Sequence, residues 1–201
     1  MEQDLNTIQQ TRKRCSKLCA ILVLGFIFSV PDSSAGHATA NLCEREMSTA
    51  SSRHSVPLAV LYAVALNESG RKGRLNPYAM NIEGTSLYPT NLADAMTGFK
   101  NAHSEGKQLI DVGCMQINHY WHYKKFLSVQ HMFDPHANVN YAARFLRQLY
   151  DKEKSWTMAV AIYHAGTRNK AAQKRYICGV IGKLVRSGFG AWTNQARVFC
   201  K

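Results

Sequence analysis

The chain has 201 residues, 46% of them hydrophobic, and carries 25 Lys and Arg against 13 Asp and Glu for a formal net charge of +12. That length holds one domain with room for extras, and the basic balance directs attention to polyanions: nucleic acid, anionic lipid or the bacterial cell wall. The cations are scattered, with no Lys/Arg stripe, zinc-finger spacing or RNP-like strand, so the sequence offers nothing that reads nucleic acid.

Residues 1–40 read as a signal peptide. Arg12, Lys13, Arg14 and Lys17 form a basic start, Leu18–Val30 is an apolar run of thirteen, and Ala38-Thr39-Ala40 is a small-residue cleavage site. Thirteen residues fall short of the ~20 that span a bilayer as a helix, so no stable membrane span is expected after processing. Cleavage after Ala40 would leave 161 residues, 41–201, with 21 of the 25 basic and 10 of the 13 acidic side chains, a net charge of +11. Export also argues against a nucleic-acid partner. Cys43, Cys114, Cys178 and Cys200 remain in that part, an even count suited to disulfides. Three pairings are open; a bond from Cys43 to Cys178 or Cys200 would staple the termini, and Cys114 could equally be a small buried residue.

The expected elements run in order. Asn41 to about Arg53 is a first helix. Pro57 opens a second, apolar almost all round through Leu58, Val60, Leu61, Tyr62, Val64, Ala65 and Leu66, the pattern of a buried helix. Its last turn carries Glu68, ahead of the Ser69-Gly70 stop. Burial disfavours a charged carboxylate, as does the negative end of the helix dipole, so this position suits a carboxyl group that holds its proton, the profile of a general acid. A turn-rich basic passage follows. Asn91 with Asp94 starts a helix that ends at Gly106. Leu109–Asn118 is the one short β segment, and the aromatic cluster His119-Tyr120-Trp121-His122-Tyr123 comes next. Asp134-Pro135 caps an amphipathic helix reaching Leu149. Ser155 caps another that stops at Gly166, a longer one runs from about Asn169 to Arg186, and Ala191–Phe199 closes the chain. The expectation is a mainly α, α+β domain: helices with a small β element lining a substrate cleft.

Within Asp111-Val-Gly113-Cys-Met115-Gln116-Ile117-Asn118, polar residues alternate with apolar ones, as in a strand presenting side chains to a cleft. Taken with Glu68-Ser69-Gly70 and Tyr163-His164-Ala165-Gly166, the order Glu-Ser-Gly, Gly-x-Met-Gln-Ile-Asn, Tyr-x-Ala-Gly resembles the lytic transglycosylases with a lysozyme-like fold. It is most similar to the specialised ones that accompany type IV secretion and related transport machines. Asn76-Pro77-Tyr78-Ala79, Asp134-Pro135 with Asn138-Val139, and Tyr176-Ile177 fit the same resemblance, which covers about Leu42 to Val185. Two positions depart from it: Cys114 stands where Leu or Ile is usual, and His164 where Asn is usual. The helix at 91–105 reads as an insertion that could wall the cleft or bind a partner.

The resemblance implies that Glu68 is the single acid/base acting on the bond between N-acetylmuramic acid and N-acetylglucosamine in peptidoglycan glycan strands, closing a 1,6-anhydro ring with neither metal nor cofactor. It implies that Ser69 hydrogen-bonds near the reacting centre and that Gln116, Asn118 and His164 contact sugar. It also implies that Tyr163 and Tyr176 line the cleft and hold Glu68. The expected location is the periplasm and the expected purpose is local wall opening for a secretion or conjugation apparatus, whose components would be partners. Asp111 complicates the scheme, because Asp-x-Gly-x-x-Gln-Ile-Asn also resembles the segment of animal-type lysozymes that carries their second carboxylate; it could as simply cap a turn before Gly113. A muramidase using Glu68 and Asp111 is therefore an alternative, and a wall-binding assembly factor without chemistry is a third. His119, His122, His131 and His136 lack a carboxylate companion or a His-Glu-x-x-His pattern, so no metal site is expected. Tyr120, Trp121 and Tyr123 fit sugar stacking and core packing equally well.

Overall fold

A computed structural model describes residues 41–201. The expected signal peptide lies outside the described residues. Helix α1 (Leu42–His54) starts where the Asn41 side chain accepts from the Cys43 N–H at 2.9 Å, and it buries Cys43, Met47 and Ala50 at helical spacing. Helix α2 (Leu58–Glu68) follows Pro57 and buries Ala59, Val60, Leu61 and Ala63 to Leu66. With apolar side chains on every face, it can only sit in the middle. It packs against α1 and against the long C-terminal helix α8 (Lys170–Arg186).

Between α2 and α8 come a sheet and four further helices before α7. Strands β1 (Met80–Ile82) and β2 (Thr85–Leu87) form a hairpin; after helix α3 (Leu92–Ser104) come β3 (Ile110–Val112) and β4 (Ile117–Asn118). The sheet is antiparallel in the order β2-β1-β3-β4. Two expectations change here. The turn-rich passage after Gly70 contains a hairpin, and Leu109–Asn118 is two strands folded back on each other rather than one. The reversal needs Gly113: its φ is +82°, and a Cβ there would sit 2.5 Å from Asn138 Nδ2. The short helices α4 (His119–His122) and α5 (Val129–Phe133) lead to α6 (Pro135–Glu153), capped by Asp134. Helices α7 (Trp156–Ala165), α8 and α9 (Asn194–Phe199) complete the chain. Among the described residues no helix is long and apolar enough to cross a membrane.

Asn138 fastens the sheet to the helices. It is fully buried on α6, accepts from the Met115 N–H at 2.9 Å, and donates to the Val112 and Met132 carbonyls at 2.9 and 2.8 Å. Every polar atom of its amide is used, which makes its burial tolerable. Nearby, the disulfide Cys43–Cys114 ties the start of α1 to the β3–β4 turn, and Cys178–Cys200 ties α8 to the C-terminus. Cys114 is therefore a cross-link and not a free buried thiol, and no bond joins Cys43 to Cys178 or Cys200. The helix at 91–105 is present as α3, with Asn91 and Asp94 capping each other. It packs Ala95, Phe99 and Ala102 into the core behind the sheet and contributes nothing to the cleft wall.

The two cross-links differ in reach: 71 residues separate Cys43 from Cys114 and 22 separate Cys178 from Cys200. Closing the longer loop is worth roughly 4 kcal/mol and the shorter roughly 3 by chain entropy. Paired Ser substitutions, followed by denaturant unfolding, are expected to show the larger loss for Cys43/Cys114.

Candidate active site

Glu68 ends α2 with its side chain 13% exposed. The Tyr176 hydroxyl donates to Glu68 Oε1 at 2.5 Å, and His164 Nδ1 stands 3.5 Å from the same oxygen. The His164 ring lies flat on Tyr176, with centroids 4.1 Å apart and planes 8° apart. One carboxyl oxygen is thus fixed by two stacked side chains from α7 and α8. Burial, then the neighbouring Glu68 charge, raises the Tyr176 pKa well above the ordinary phenol value, so its hydroxyl stays a donor. The hydrogen bond to Glu68 raises the His164 pKa, with burial and the positive charge of Arg175 opposing.

Asp111 sits at the middle of β3, in register with Asn81 on one side and Asn118 on the other. Asn118 Nδ2 donates to its Oδ1 at 2.7 Å. Burial pushes the Asp111 pKa from 3.8 to about 6; Asn118 lowers it, and the charge of Glu68 raises it further. Asp111 is therefore no mere turn cap. It is a second carboxyl group on the same cleft floor, electrically coupled to the first.

Gln116 holds a left-handed φ of +45° in the β3–β4 turn. Its Nε2 donates to the Ala79 and Gly113 carbonyls at 2.9 and 3.0 Å, which directs the remaining amide oxygen to other partners. The Ala79 carbonyl is in place because Asn76 folds its own turn, accepting from the Tyr78 N–H at 2.7 Å. Tyr163 donates to the Met115 carbonyl at 2.7 Å, and burial raises its pKa well above the ordinary value.

These groups border one cleft of about 650 Å³, within the usual range for ligand sites. Glu68, Asp111, Gln116, Asn118, Tyr163 and His164 all line it. Two expected residues do not. Ser69 is 0% exposed and its hydroxyl donates to the Cys114 carbonyl at 2.7 Å, so it braces the end of α2 against the β3–β4 turn. Tyr176 lies behind the cleft, 4% exposed, and reaches it only through Glu68. The cleft also takes in Asn81, Leu109 and Phe145, which sequence reading passed over. Asn81 could have been found only through its register with Asp111. Trp121 lines the cleft at 70% exposure, which resolves the open choice for that ring in favour of the cleft over the core. Of the expected histidines, His122 binds the Tyr141 hydroxyl and His136 pairs with Glu46, both at 2.8 Å.

Residues 46–178, well over half of the chain, match the family model described as Transglycosylase SLT domain. The chain belongs to that family. No curated protein and no solved structure matches it. The match to the SLT domain runs from α1 into α8 and contains every cleft residue named above. The α+β architecture is consistent with the lysozyme-like SLT fold, and the family implies peptidoglycan as substrate.

The raised Asp111 pKa makes a stability prediction for the SLT domain. A carboxyl group with a folded pKa above its unfolded value contributes stability at low pH and loses it as pH rises through about 6. Between about pH 4 and pH 8 the native protein is expected to lose on the order of 2 kcal/mol that the Asp111→Asn variant keeps. Denaturant midpoints across that range read the difference.

Proposed function

We propose that this SLT domain is a peptidoglycan lytic transglycosylase with Glu68 as its single acid and base. The observation that carries the reading is the placement of Glu68: a carboxyl group on the cleft, mostly buried, with Tyr176 and His164 both on Oε1. With Oε1 accepting, the proton belongs on Oε2, which has no hydrogen-bond donor among the described residues. As acid, Glu68 gives that proton to the oxygen joining N-acetylmuramic acid to N-acetylglucosamine. The C1–O bond breaks and positive charge develops at C1. As base, Glu68 then takes the proton of the muramic C6 hydroxyl, whose oxygen bonds to C1 and closes the 1,6-anhydro ring. The enzyme ends in the protonation state in which it began, its first proton gone with the leaving sugar and replaced by that of the C6 hydroxyl. One carboxyl group suffices because the nucleophile is held by the sugar's own ring, and the Asp111 carboxylate supports the developing charge when ionised.

Gln116 and Asn81 offer amide groups to sugar substituents, and Trp121 offers an exposed ring face of the kind that stacks on a pyranose. The likeness to secretion-associated transglycosylases supports local wall opening for a secretion or conjugation machine. Two disulfides support an oxidising compartment, the periplasm, as the site of action. The second reading is a muramidase. The coupling of Asp111 to Glu68 across one cleft favours it, since retaining hydrolases use two carboxyl groups ~5–5.5 Å apart. The intact support around Glu68 weighs against an inactive wall binder.

Purified protein incubated with cell-wall sacculi tests the assignment. Glu68→Gln is expected to lower muropeptide release by roughly 10²–10⁴-fold with an unchanged melting curve; a fully active variant refutes the role. Asp111→Asn is expected to remain within about tenfold of native for a transglycosylase, whereas loss on the scale of the Glu68 variant would mark the hydrolase.

A further inference from the structure

From Lys154 to Lys201 the chain contains nine Lys and Arg and not one Asp or Glu. Those 48 residues are α7, α8, α9 and their loops. Among the described residues none of the nine cations enters an ion pair. Unpaired like charges repel one another and weaken the fold slightly, so an acid-free stretch of 48 residues is a cost without a structural return.

Its position gives it a use. Ile162 to Gly166, the end of α7, is one wall of the cleft. Arg168 lies two residues past Gly166, Lys170 is the first residue of α8, and Arg175 directly precedes Tyr176, the donor to Glu68. All three are exposed. Gln173 fixes this corner by donating to the Gly166 carbonyl at 2.5 Å, and the Arg175 charge is near enough to oppose protonation of His164. Across the cleft the wall is the β1–β2 hairpin, where Glu83 already has Lys107 at 3.0 Å. The α7–α8 wall of the cleft is thus bordered by cations that enter no ion pair among the described residues, whereas the hairpin wall carries Glu83 with its own partner.

We infer that Arg168, Lys170 and Arg175 form a cationic shelf that binds the free carboxylates of the stem peptide carried by the muramic residue in the cleft. This rests on the peptidoglycan reading and adds to it a preference: strands that keep their peptides over strands stripped of them. The lactyl ether points the peptide away from the sugar ring, and an anionic peptide leaving this cleft meets attraction along α8 and none along the hairpin. Exposed pairs are individually weak, so the shelf acts as a set and its effect fades with salt.

Binding to the Glu68→Gln protein tests this without requiring turnover. Two glycan probes serve: fragments with stem peptides, and the same fragments after an amidase has removed them. The stem-bearing fragment is expected to bind about tenfold more tightly at low salt, with the gap narrowing as salt rises. Arg168→Gln/Lys170→Gln/Arg175→Gln is expected to bring the two probes within about twofold, while Lys183→Gln/Arg197→Gln, which removes remote cations, preserves the gap. Equal affinity of the native-shelf protein for both probes overturns the inference, as does a gap that survives the triple variant. Sedimentation with vesicles containing anionic phospholipid completes the test: shelf-dependent pelleting combined with no stem preference would overturn the inference by making the surface a lipid site. Failure of glycan cleavage in the native protein would remove the catalytic reading and leave this binding result standing.

Discussion

The position of one carboxyl group depends on a phenol behind it. Glu68 sits at the end of a helix, where a side chain ordinarily swings into solvent. Here Tyr176, buried on α8, donates to it at 2.5 Å, and His164 covers the pair. That hydrogen bond exists because α2 and α8 pack closely at this level. On α8, Gly179 faces Asn67, the neighbour of Glu68, and a Cβ at Gly179 would lie 2.7 Å from Asn67 Oδ1. A methyl there would have to displace the Asn67 amide from its place beside Glu68. The chain of cause runs from the contact of α2 with α8 to a held proton donor and acceptor.

The opposite side of the cleft is fixed by independent means. Two of the hydrogen bonds of Asn138, to the Met115 N–H and the Val112 carbonyl, converge on the β3–β4 reversal together with the Ser69 hydroxyl on the Cys114 carbonyl and the Cys43–Cys114 bond. That reversal carries Gln116, and the strands on either side of it carry Asp111 and Asn118. Strands of two or three residues have little cohesion of their own, so their geometry is borrowed from these anchors.

The same contrast explains what could be read in the sequence. Helices α1, α2, α3, α6, α7 and α8 were legible because caps and apolar periodicity mark them: Asn91 with Asp94, Asp134-Pro135, Ser155, and the apolar run that makes Glu68 conspicuous. The β1–β2 hairpin was not, since three-residue strands are too short to show a period of two. Disulfide pairing was open because spacing does not encode which turns meet in space. Ser69 lies elsewhere than the resemblance implied. The family resemblance implied a hydrogen bond near the reacting centre, yet the position of Ser69 at the end of α2 turns its hydroxyl into the core, onto the Cys114 carbonyl. The depth of Asp111 was likewise hidden, because it follows from partners on β1 and β4 that lie far apart along the chain.

Two coupled carboxyl groups on one floor give the cleft two possible outcomes from one bond cleavage, and they differ in what attacks C1. If the substrate's own C6 hydroxyl attacks, no water is added; if water attacks, a reducing end forms. Mass spectrometry of the muropeptides released by the purified native protein reads that difference directly. The account predicts products ending in 1,6-anhydro-muramic acid, lighter by one water than reducing-end products. Reducing-end muropeptides as the sole primary product would contradict it.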